Sequence, residues 1–329
     1  MQEYTSCHWL QHGLSFENDH IKMCCLCCHK GGGRIFLKEH YEGKGIKWED
    51  IFDLKEKFIN DNKKGIIDPR CEGCFNLVHK GWEESPKPYI NYIHFNHWTH
   101  CNSDCIYCYT SWDKQNFQKR PHYKVLPMIK ELFKKKLFRP DGEITFAGGE
   151  PTILNEFEDL VNFMLRNGAK RITVHSSGIK YSKAIEKGIK EKKLSVCLSA
   201  DSGTRETFKK VKRVDKFEKF WENAKKYAAA QKNIDEKIYV ETKFILIPEV
   251  NTNKEEVDKW LEKSVEAGIK SVVVDIEDVY CIELRTNKKE KPQYLIDLCI
   301  YIINRTKELD LNLVDYNNFR YLVAEYNLL

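Results

Sequence analysis

Three cysteines fall within eight residues, Cys101-Asn-Ser-Asp-Cys105-Ile-Tyr-Cys108, and thiolates this close can wrap a single iron-sulfur cluster. Such clusters usually take four cysteines, so a three-cysteine loop leaves one iron open to an exogenous ligand. A structural zinc ion that borrows His97 or His100 is the competing reading, and unliganded thiols are the third. Zinc ribbons generally pair CxxC knuckles, which this spacing fits poorly. A second concentration of thiols comes earlier: Cys7, then Cys24-Cys25-Leu26-Cys27-Cys28, then Cys71-Glu-Gly-Cys74. In all, ten of the thirteen cysteines precede residue 110, a clustering that points to metal ligation or redox chemistry more than to a disulfide framework.

Ligand loops need rigid elements beneath them, and the sequence supplies a repeating set. The polar, Pro-containing segment Glu83-Glu84-Ser85-Pro86-Lys87-Pro88 reads as a linker. After it, β-rich runs at 89–98, 143–147, 171–175, 194–199, 239–247 and 271–276 alternate with amphipathic stretches such as 155–166, 217–230 and 255–267. Strand, helix, strand repeated six times predicts parallel βαβ units. Periodicity leaves open whether they close as a full or partial barrel or open as a doubly wound sheet. Ligands gather at the C-terminal strand ends in each case.

The strand ends carry the next candidates. The triad follows the first run, and Phe146-Ala147-Gly148-Gly149-Glu150-Pro151 follows the second. Two glycines allow close backbone approach and Glu150 offers an acceptor for an ammonium group, although an ordinary strand-to-helix turn would look the same. Ser176-Ser177-Gly178 follows the third run as a turn that also presents Ser177, and Ser199-Ala200-Asp201-Ser202-Gly203-Thr204 ends the fourth. Ser199 and Asp201 share one side of an extended strand, while Asp201 or Ser202 could equally be a helix N-cap. On the fifth run Glu241 and Lys243 share a face opposite Thr242, which allows a polar lumen. The sixth delivers Asp275, Glu277, Asp278, Tyr280 and Cys281; Cys281 is a candidate hydrogen-atom donor or a small buried side chain.

With Tyr107 at its aromatic position, the triad resembles the CxxxCxΦC motif of the radical S-adenosylmethionine (radical SAM) superfamily, and the resemblance covers residues 89–282. It implies an α/β fold with a partial (β/α)6 TIM-type barrel and a [4Fe-4S] cluster on Cys101, Cys105 and Cys108. S-adenosylmethionine would chelate the open iron, and reductive cleavage would yield methionine and a 5'-deoxyadenosyl radical that takes hydrogen from an unactivated carbon. The same resemblance implies that Tyr107, Gly148, Gly149, Glu150, Pro151, Ser177, Ser199 and Asp201 bind the cofactor. It further implies an electron donor such as flavodoxin or ferredoxin. Lys212 or Arg213 falls near a place where relatives carry a basic residue, with a solvated helix charge as the expected role.

The stretch 7–24 resembles the auxiliary-cluster modules of the SPASM and twitch type, which usually follow the radical domain and here precede it. The implied ligands of a second [4Fe-4S] cluster are Cys7, Cys71, Cys74 and one of the central four, preferably Cys24 with Cys25 an alternative; Cys27 and Cys28 are left unexplained, and zinc is the competing metal. Gly31-Gly32-Gly33 reads as a flexible turn. The expected organisation is a cysteine-rich domain at 1–88, a radical SAM core at 89–282 and a C-terminal helical extension at 283–329.

Composition bounds the remaining roles. Hydrophobic content of 42% is ample for a packed core, and the net charge of +5 is interspersed, which argues against nucleic acid or an anionic membrane as partner. Lys134, Lys135 and Lys136 read as a solvated helix face. No run approaches the roughly 20 apolar residues of a membrane span, and Met1-Gln2-Glu3-Tyr4 does not read as a signal peptide, so a cytosolic location is expected. The substrate expected is a peptide or protein undergoing epimerisation, dehydrogenation or cross-linking. The alternatives are a carbohydrate or nucleotide-sugar substrate, an activating enzyme for a partner protein, and a zinc-stabilised interaction module without catalysis.

Overall fold

The computed structural model describes residues 5–18, 20–24, 47–69, 71, 74, 76–85, 87–108, 123–231, 239–286 and 290–324. Cys25, Cys27, Cys28 and the three glycines at 31–33 lie outside the described residues. The chain divides into two compact units that interleave in sequence.

The first unit draws on residues 1–100, 118–149 and 159–172. Its elements are β1 (Thr5–Ser6), α1 (His8–His12), β2 (Gly13–Glu17), β3 (Ile21–Lys22), α2 (Trp48–Lys63), β4 (Val78–His79), β5 (Ile90–Asn96), α3 (Val125–Lys134), β6 (Phe138–Phe146) and α4 (Phe157–Arg166). Four strands lie in the order β3-β2-β5-β6, with β2, β5 and β6 parallel and β3 antiparallel to β2. Register places Phe16 beside Phe95 and Phe95 beside Phe146, and their rings stack at 5.3 and 4.5 Å. Cross-strand aromatic rows of this kind hold parallel strands in register.

The auxiliary-module resemblance implies a hairpin between Cys7 and Cys24, and β2 and β3 pair antiparallel there; the parallel pairing of β2 with β5 was not expected from the sequence. Every residue of β2 is buried, yet two of its five are polar. They are paired: Ser15 Oγ donates to Glu17 Oε1 at 2.9 Å, Asn96 Nδ2 to Glu17 Oε2 at 2.8 Å, and Lys22 Nζ lies 3.0 Å from Glu17 Oε1. At the end of α3, Lys134, Lys135 and Lys136 are exposed as expected, next to the orphan carbonyls that cations favour.

The second unit draws on residues 101–117, 150–158 and 173–329. Its elements are β7 (Arg171–Ser176), α5 (Lys183–Lys190), β8 (Leu194–Ser199), α6 (Arg205–Lys212), α7 (Phe217–Ala230), β9 (Val240–Leu246), α8 (Lys254–Glu266), β10 (Ser271–Ile276), α9 (Asp278–Arg285), α10 (Gln293–Glu308), β11 (Asn312–Asp315) and α11 (Asn317–Val323). The order is β7-β8-β9-β10-β11, with β8 to β11 parallel. Strand β11 corrects the expectation of a purely helical C-terminus; four residues are too few to display a period of two.

Alternation on β9 defines the two faces of this sheet. Val240, Thr242, Phe244 and Leu246 are buried, whereas Glu241, Lys243 and Ile245 are half-buried. Thr242 Oγ1 meets Ser264 Oγ of α8 at 2.9 Å, and Phe244 packs on Trp260 of α8 at 4.9 Å, so the first set faces the helices. Register then lines up Cys197, Glu241 and Ser271, then Ser199, Lys243 and Val273, then Ile245 and Asp275 on the opposite face. Barrel interiors are ordinarily filled by branched apolar side chains. Here Ser199, Glu241, Lys243, Ser271 and Asp275 share that face with Cys197, Val273 and Ile245, and Glu241 and Lys243 are half-buried on it.

The caps follow side-chain chemistry. Ser182 and Asn253 accept from Ile185 N and Glu256 N at the starts of α5 and α8. The cap of α6 is Thr204 rather than Asp201 or Ser202. The segment 203–207 is further held by the buried Glu256 carboxylate, which accepts from Gly203 N at 2.7 Å, Thr204 N at 3.2 Å, Thr204 Oγ1 at 2.6 Å and Thr207 Oγ1 at 2.7 Å. Among the described residues no helix is long and apolar enough to cross a membrane. Replacing Glu256 by Ala strips an ionised acceptor from four donors and is expected to lower unfolding free energy by about 2–4 kcal/mol, measured as a fall in the urea midpoint; Glu256→Gln should lose less.

Candidate active site

Helix α6 ends at Lys212 because Arg213 adopts left-handed φ of 55°. Its last carbonyls have no intrahelical partner. The triad loop supplies one: Ile106 N donates to Val211 O at 3.0 Å and Asp104 N to Lys212 O at 3.1 Å, while Arg213 Nη1 pairs with Asp104 Oδ2 at 3.0 Å. Cys108 N donates back to Cys105 O at 3.1 Å, closing the turn that carries the second and third thiols.

Cys101, Cys105 and Cys108 are half-buried thiols outside any disulfide. The Ser103 hydroxyl lies 3.4 Å from Cys101 Sγ and 3.7 Å from Cys105 Sγ, so these two sulfurs flank one point. Among the described residues no three Cys, His, Asp or Glu side chains converge closely enough to hold a metal ion, and that includes the triad. The donor set nonetheless fits a cluster: three soft thiols on one tethered turn. Burial, reinforced by the Glu150 carboxylate, pushes the Cys101 thiol up to about 11. A coordinated metal reverses that preference, because a ligating thiol is deprotonated outright.

Beneath the loop lies a buried polar clasp. Asp201, with no exposed surface and φ of 55°, accepts from Tyr107 Oη at 2.5 Å, from Ile245 N at 2.8 Å and from Lys212 Nζ. Lys212, 1% exposed, also donates to Tyr107 Oη at 3.2 Å and sits 5.5 Å from the centre of its ring. Burial works against the ammonium, but Asp201 outweighs it and holds Lys212 charged. Burial and then the Asp201 carboxylate push the Tyr107 phenol well up. Lys212 is therefore not a solvated helix charge; Arg213 is the exposed member of the pair. One signal was available: Lys212 stands four residues after Phe208, on the apolar face of α6.

Gly148 and Gly149 run against the backbone just before the triad. Gly148 has φ of +89°, and a Cβ there would lie 2.5 Å from Asn96 Oδ1; at Gly149 it would lie 2.3 Å from His100 O. No other residue fits. Pro151 opens a single 3-10 turn, Pro151–Ile153. The Glu150 carboxylate turns into the protein, accepting from Thr152 N at 3.1 Å, Thr152 Oγ1 at 2.5 Å, Ser176 Oγ at 2.8 Å and Ser177 N at 2.5 Å. Ser177 Oγ in turn donates to Asn102 Oδ1 at 2.9 Å, joining the end of β7 to the triad loop. Sequence reasoning passed over Asn102, which has no signature beyond lying inside the motif.

Around Tyr107 opens a cavity of about 380 Å³, lined among others by Ile106, Ile247, Glu249, Glu277 and Tyr280. Ser199 is half-buried at the end of β8, in register with Lys243. Asp275 faces the same side, and burial pushes its carboxyl up to about 6. Cys281 is elsewhere: buried within α9, close enough to Cys299 of α10 to act on it electrostatically, with burial pushing its own thiol up to about 12. It does not line the cavity.

In the first unit, Cys7 is buried with Leu10, Met23 and Trp82, while Cys24, Cys71 and Cys74 are half-buried. Cys74 N donates to Cys71 O at 3.0 Å, a tight turn of knuckle form. Burial raises the Cys7 thiol, and Cys74 is near enough to add to the effect.

Comparison with known proteins bears on this constellation. A family model described as the Radical SAM superfamily matches residues 95–261, just over half of the chain, which takes in the triad, Gly148 to Pro151, Ser177, Ser199, Asp201 and Lys212 but not the N-terminal cysteines, Asp275, Glu277, Tyr280 or Cys281. The chain is 24% identical over 178 residues to 7,8-dihydro-6-hydroxymethylpterin dimethyltransferase of Methanocaldococcus jannaschii, covering 50% of this chain and 35% of that protein. It is 28% identical over 124 residues to molybdenum cofactor biosynthesis protein moc-5 of Caenorhabditis elegans, covering 37% and 20%. The chain thus spans about a third or less of these relatives. Streptococcus suis SuiB bound to precursor peptide SuiA superposes with a TM-score of 0.55 at 14% identity, covering 98% of this chain and 75% of SuiB. SuiB bound to S-adenosylmethionine gives 0.53 at 13%, covering 87% and 59%. At these identities the likeness is one of fold, the expected partial-barrel α/β class. The matched region contains the cysteine triad and the segments Gly148 to Pro151, Ser177 and Ser199 to Asp201, and the chain belongs to the radical SAM superfamily, a family of enzymes that implies a [4Fe-4S] cluster and S-adenosylmethionine as cofactors.

Proposed function

We propose that the chain abstracts hydrogen from an unactivated carbon of a peptide or protein, with Cys101, Cys105 and Cys108 as ligands of the catalytic cluster. The observation that carries this reading is the triad loop hung on the end carbonyls of α6. The cluster with its bound cofactor supplies the radical chemistry. The chain supplies position. Gly148 and Gly149 keep their backbone accessible to the cofactor amino group, and Glu150 and Pro151 fix that backbone, since the Glu150 side chain is engaged internally. Ser177 and Ser199 offer hydroxyls to its ribose or carboxylate. Asp201 and Lys212 are positioning residues that hold Tyr107 beside the cofactor. Cys281 is set back from this chemistry by its burial.

The cavity beside Tyr107 has a volume suited to a side chain and its flanking peptide groups. SuiB, a fold neighbour solved with a precursor peptide, supports the peptidyl reading. The polar wall of Ser199, Glu241, Lys243 and Asp275 supports a carbohydrate as the second reading, because hydroxyl-rich ligands need many polar partners. Cys7, Cys24, Cys71 and Cys74 are the ligands assigned to a second cluster; the segment 1–88 that carries them shares a sheet with the 89–282 core through β2 and β5 and does not form a separate unit, and 283–329 is the extension. Flavodoxin or ferredoxin in the cytosol supplies electrons.

Anaerobic reconstitution should yield about eight irons per chain and 5'-deoxyadenosine on reduction. Alanine at Cys101, Cys105 and Cys108 should abolish cleavage, whereas alanine at Cys71 and Cys74 should remove about half the iron and spare cleavage. Stoichiometric zinc without cleavage would overturn the assignment. A short peptide encoded beside the gene should raise 5'-deoxyadenosine yield; a nucleotide-sugar doing so instead decides for the second reading. For the clasp, Asp201→Asn leaves a buried ammonium unpaired and should cost about 3–5 kcal/mol in thermal denaturation, a loss that adding Lys212→Met should partly restore.

A further inference from the structure

Strand register divides the Ser199 face of β8 to β11 into rows. The row of Glu241, Ser271 and Asn312 is closed: Asn312 Nδ2 donates to Ser271 Oγ at 3.1 Å, and Ser271 Oγ donates to Glu241 Oε1 at 3.0 Å. The next row, Ser199, Lys243, Val273 and Val314, is open. Among the described residues no hydrogen bond or ion pair reaches the Lys243 ammonium or the Ser199 hydroxyl. Beyond that row, Tyr316 N donates to Val274 O at 3.2 Å, which continues the ladder and sets Tyr316 beside Asp275. The Tyr316 hydroxyl also has no hydrogen-bond partner among the described residues, while Asp275 Oδ1 accepts from Ile276 N at 2.9 Å.

Lysines drawn into the interior elsewhere are satisfied: Lys22 pairs with Glu17, Lys55 donates to three carbonyls, and Lys212 pairs with Asp201. Lys243 is half-buried and has neither kind of partner among the described residues. Asp275 feels its charge, but from beyond ion-pair distance. An ammonium half-withdrawn from water with no acceptor in contact costs stability until a ligand supplies one. Its backbone, by contrast, is held firmly. The Lys243 carbonyl accepts from Ala200 N at 2.9 Å and Asp201 N at 3.1 Å, and Asp201 Oδ1 accepts from Ile245 N, so the strand around the lysine is tied to the charged clasp. A donor fixed in advance binds an anion with little ordering cost.

We propose that Lys243 anchors a carboxylate on the substrate, carried by an aspartate or glutamate side chain of the peptide, with the Tyr316 hydroxyl as a second donor on the same face. This rests on the hydrogen-abstraction reading and narrows its substrate to acidic sequences; a sugar acid carries the same group. Lys243 sets specificity rather than reactivity, because a carboxylate held on β9 is one strand away from Ser199, the hydroxyl offered to the cofactor. Asp275 opposes the same ligand through like charge.

The test footprints the reconstituted full-length enzyme with S-adenosylmethionine bound. Acetic anhydride is applied in short pulses, and acetylation of Lys243 is read by mass spectrometry against the exposed Lys259. The probes are acetyl-Gly-Glu-Gly-amide, its Gln counterpart, glucuronate and glucose. The Glu peptide should protect Lys243 at roughly 10-fold to 100-fold lower concentration than the Gln peptide, the worth of one charge-assisted hydrogen bond. Asp275→Asn should sharpen that preference and Tyr316→Phe should weaken it. In equilibrium dialysis Lys243→Gln should lose the preference and Lys243→Arg keep it, with unchanged circular dichroism verifying that both fold. Equal protection by the two peptides, or protection by none of the probes, overturns the proposal. Protection by S-adenosylmethionine before any probe is added also overturns it, since the ammonium then serves the cofactor. Glucuronate protecting where the Glu peptide does not keeps the carboxylate anchor and overturns its peptide source. A 5'-deoxyadenosine yield that no peptide or sugar raises overturns the hydrogen-abstraction reading and leaves the footprint standing.

Discussion

The second unit is organised by one buried charge pair. Asp201 and Lys212 bring opposite charges out of water at the end of β8 and the end of α6, and such a pair tolerates the interior only when its remaining hydrogen-bonding groups are met. Here Tyr107 and Ile245 meet them. The clasp thereby fixes three elements at once: the strand end that carries Ser199, the helix end that holds the triad loop, and the loop itself through Tyr107. Asp201 in left-handed backbone and Arg213 in the same conformation are the two strained positions this arrangement requires.

A second charge, on Glu150, is handled by a different route. Among the described residues no cation pairs with it; four hydrogen bonds from Thr152, Ser176 and Ser177 take that place. Charge-assisted bonds of this kind to backbone and hydroxyl donors make a stiff joint between consecutive strand ends. With Glu256 performing the same service for the start of α6, the unit uses buried carboxylates as fasteners, each spanning a gap in sequence. The strand ends can then display hydroxyls and glycine backbone without losing their spacing.

What could be read in advance follows from how local each signal is. The triad, Gly148-Gly149-Glu150-Pro151 and Ser199-Ala200-Asp201 are contiguous strings, and the alternation on β9 is a period of two over a single strand. All were legible. Lys212 was misjudged because its partner Asp201 sits on another element and a helix with Lys209 and Lys210 beside it looks solvated. Glu256 was invisible for the same reason, its partner Gly203 lying 53 residues away. Strand β11 and the pairing of β2 with β5 escaped because short strands meet partners that no local pattern names. The helical C-terminus was half right, with α10 and α11 bracketing a strand.

The hold of α6 on the triad loop has a consequence in time. Tyr107 and Lys212 are 105 residues apart, and the ribosome makes the loop first. At about 5–20 residues per second, the three thiols emerge several seconds before the helix end that will fix their backbone. A nascent chain therefore presents the three thiols before the helix end that fixes their backbone exists, and the loop can take its folded form only after residue 213 has been made.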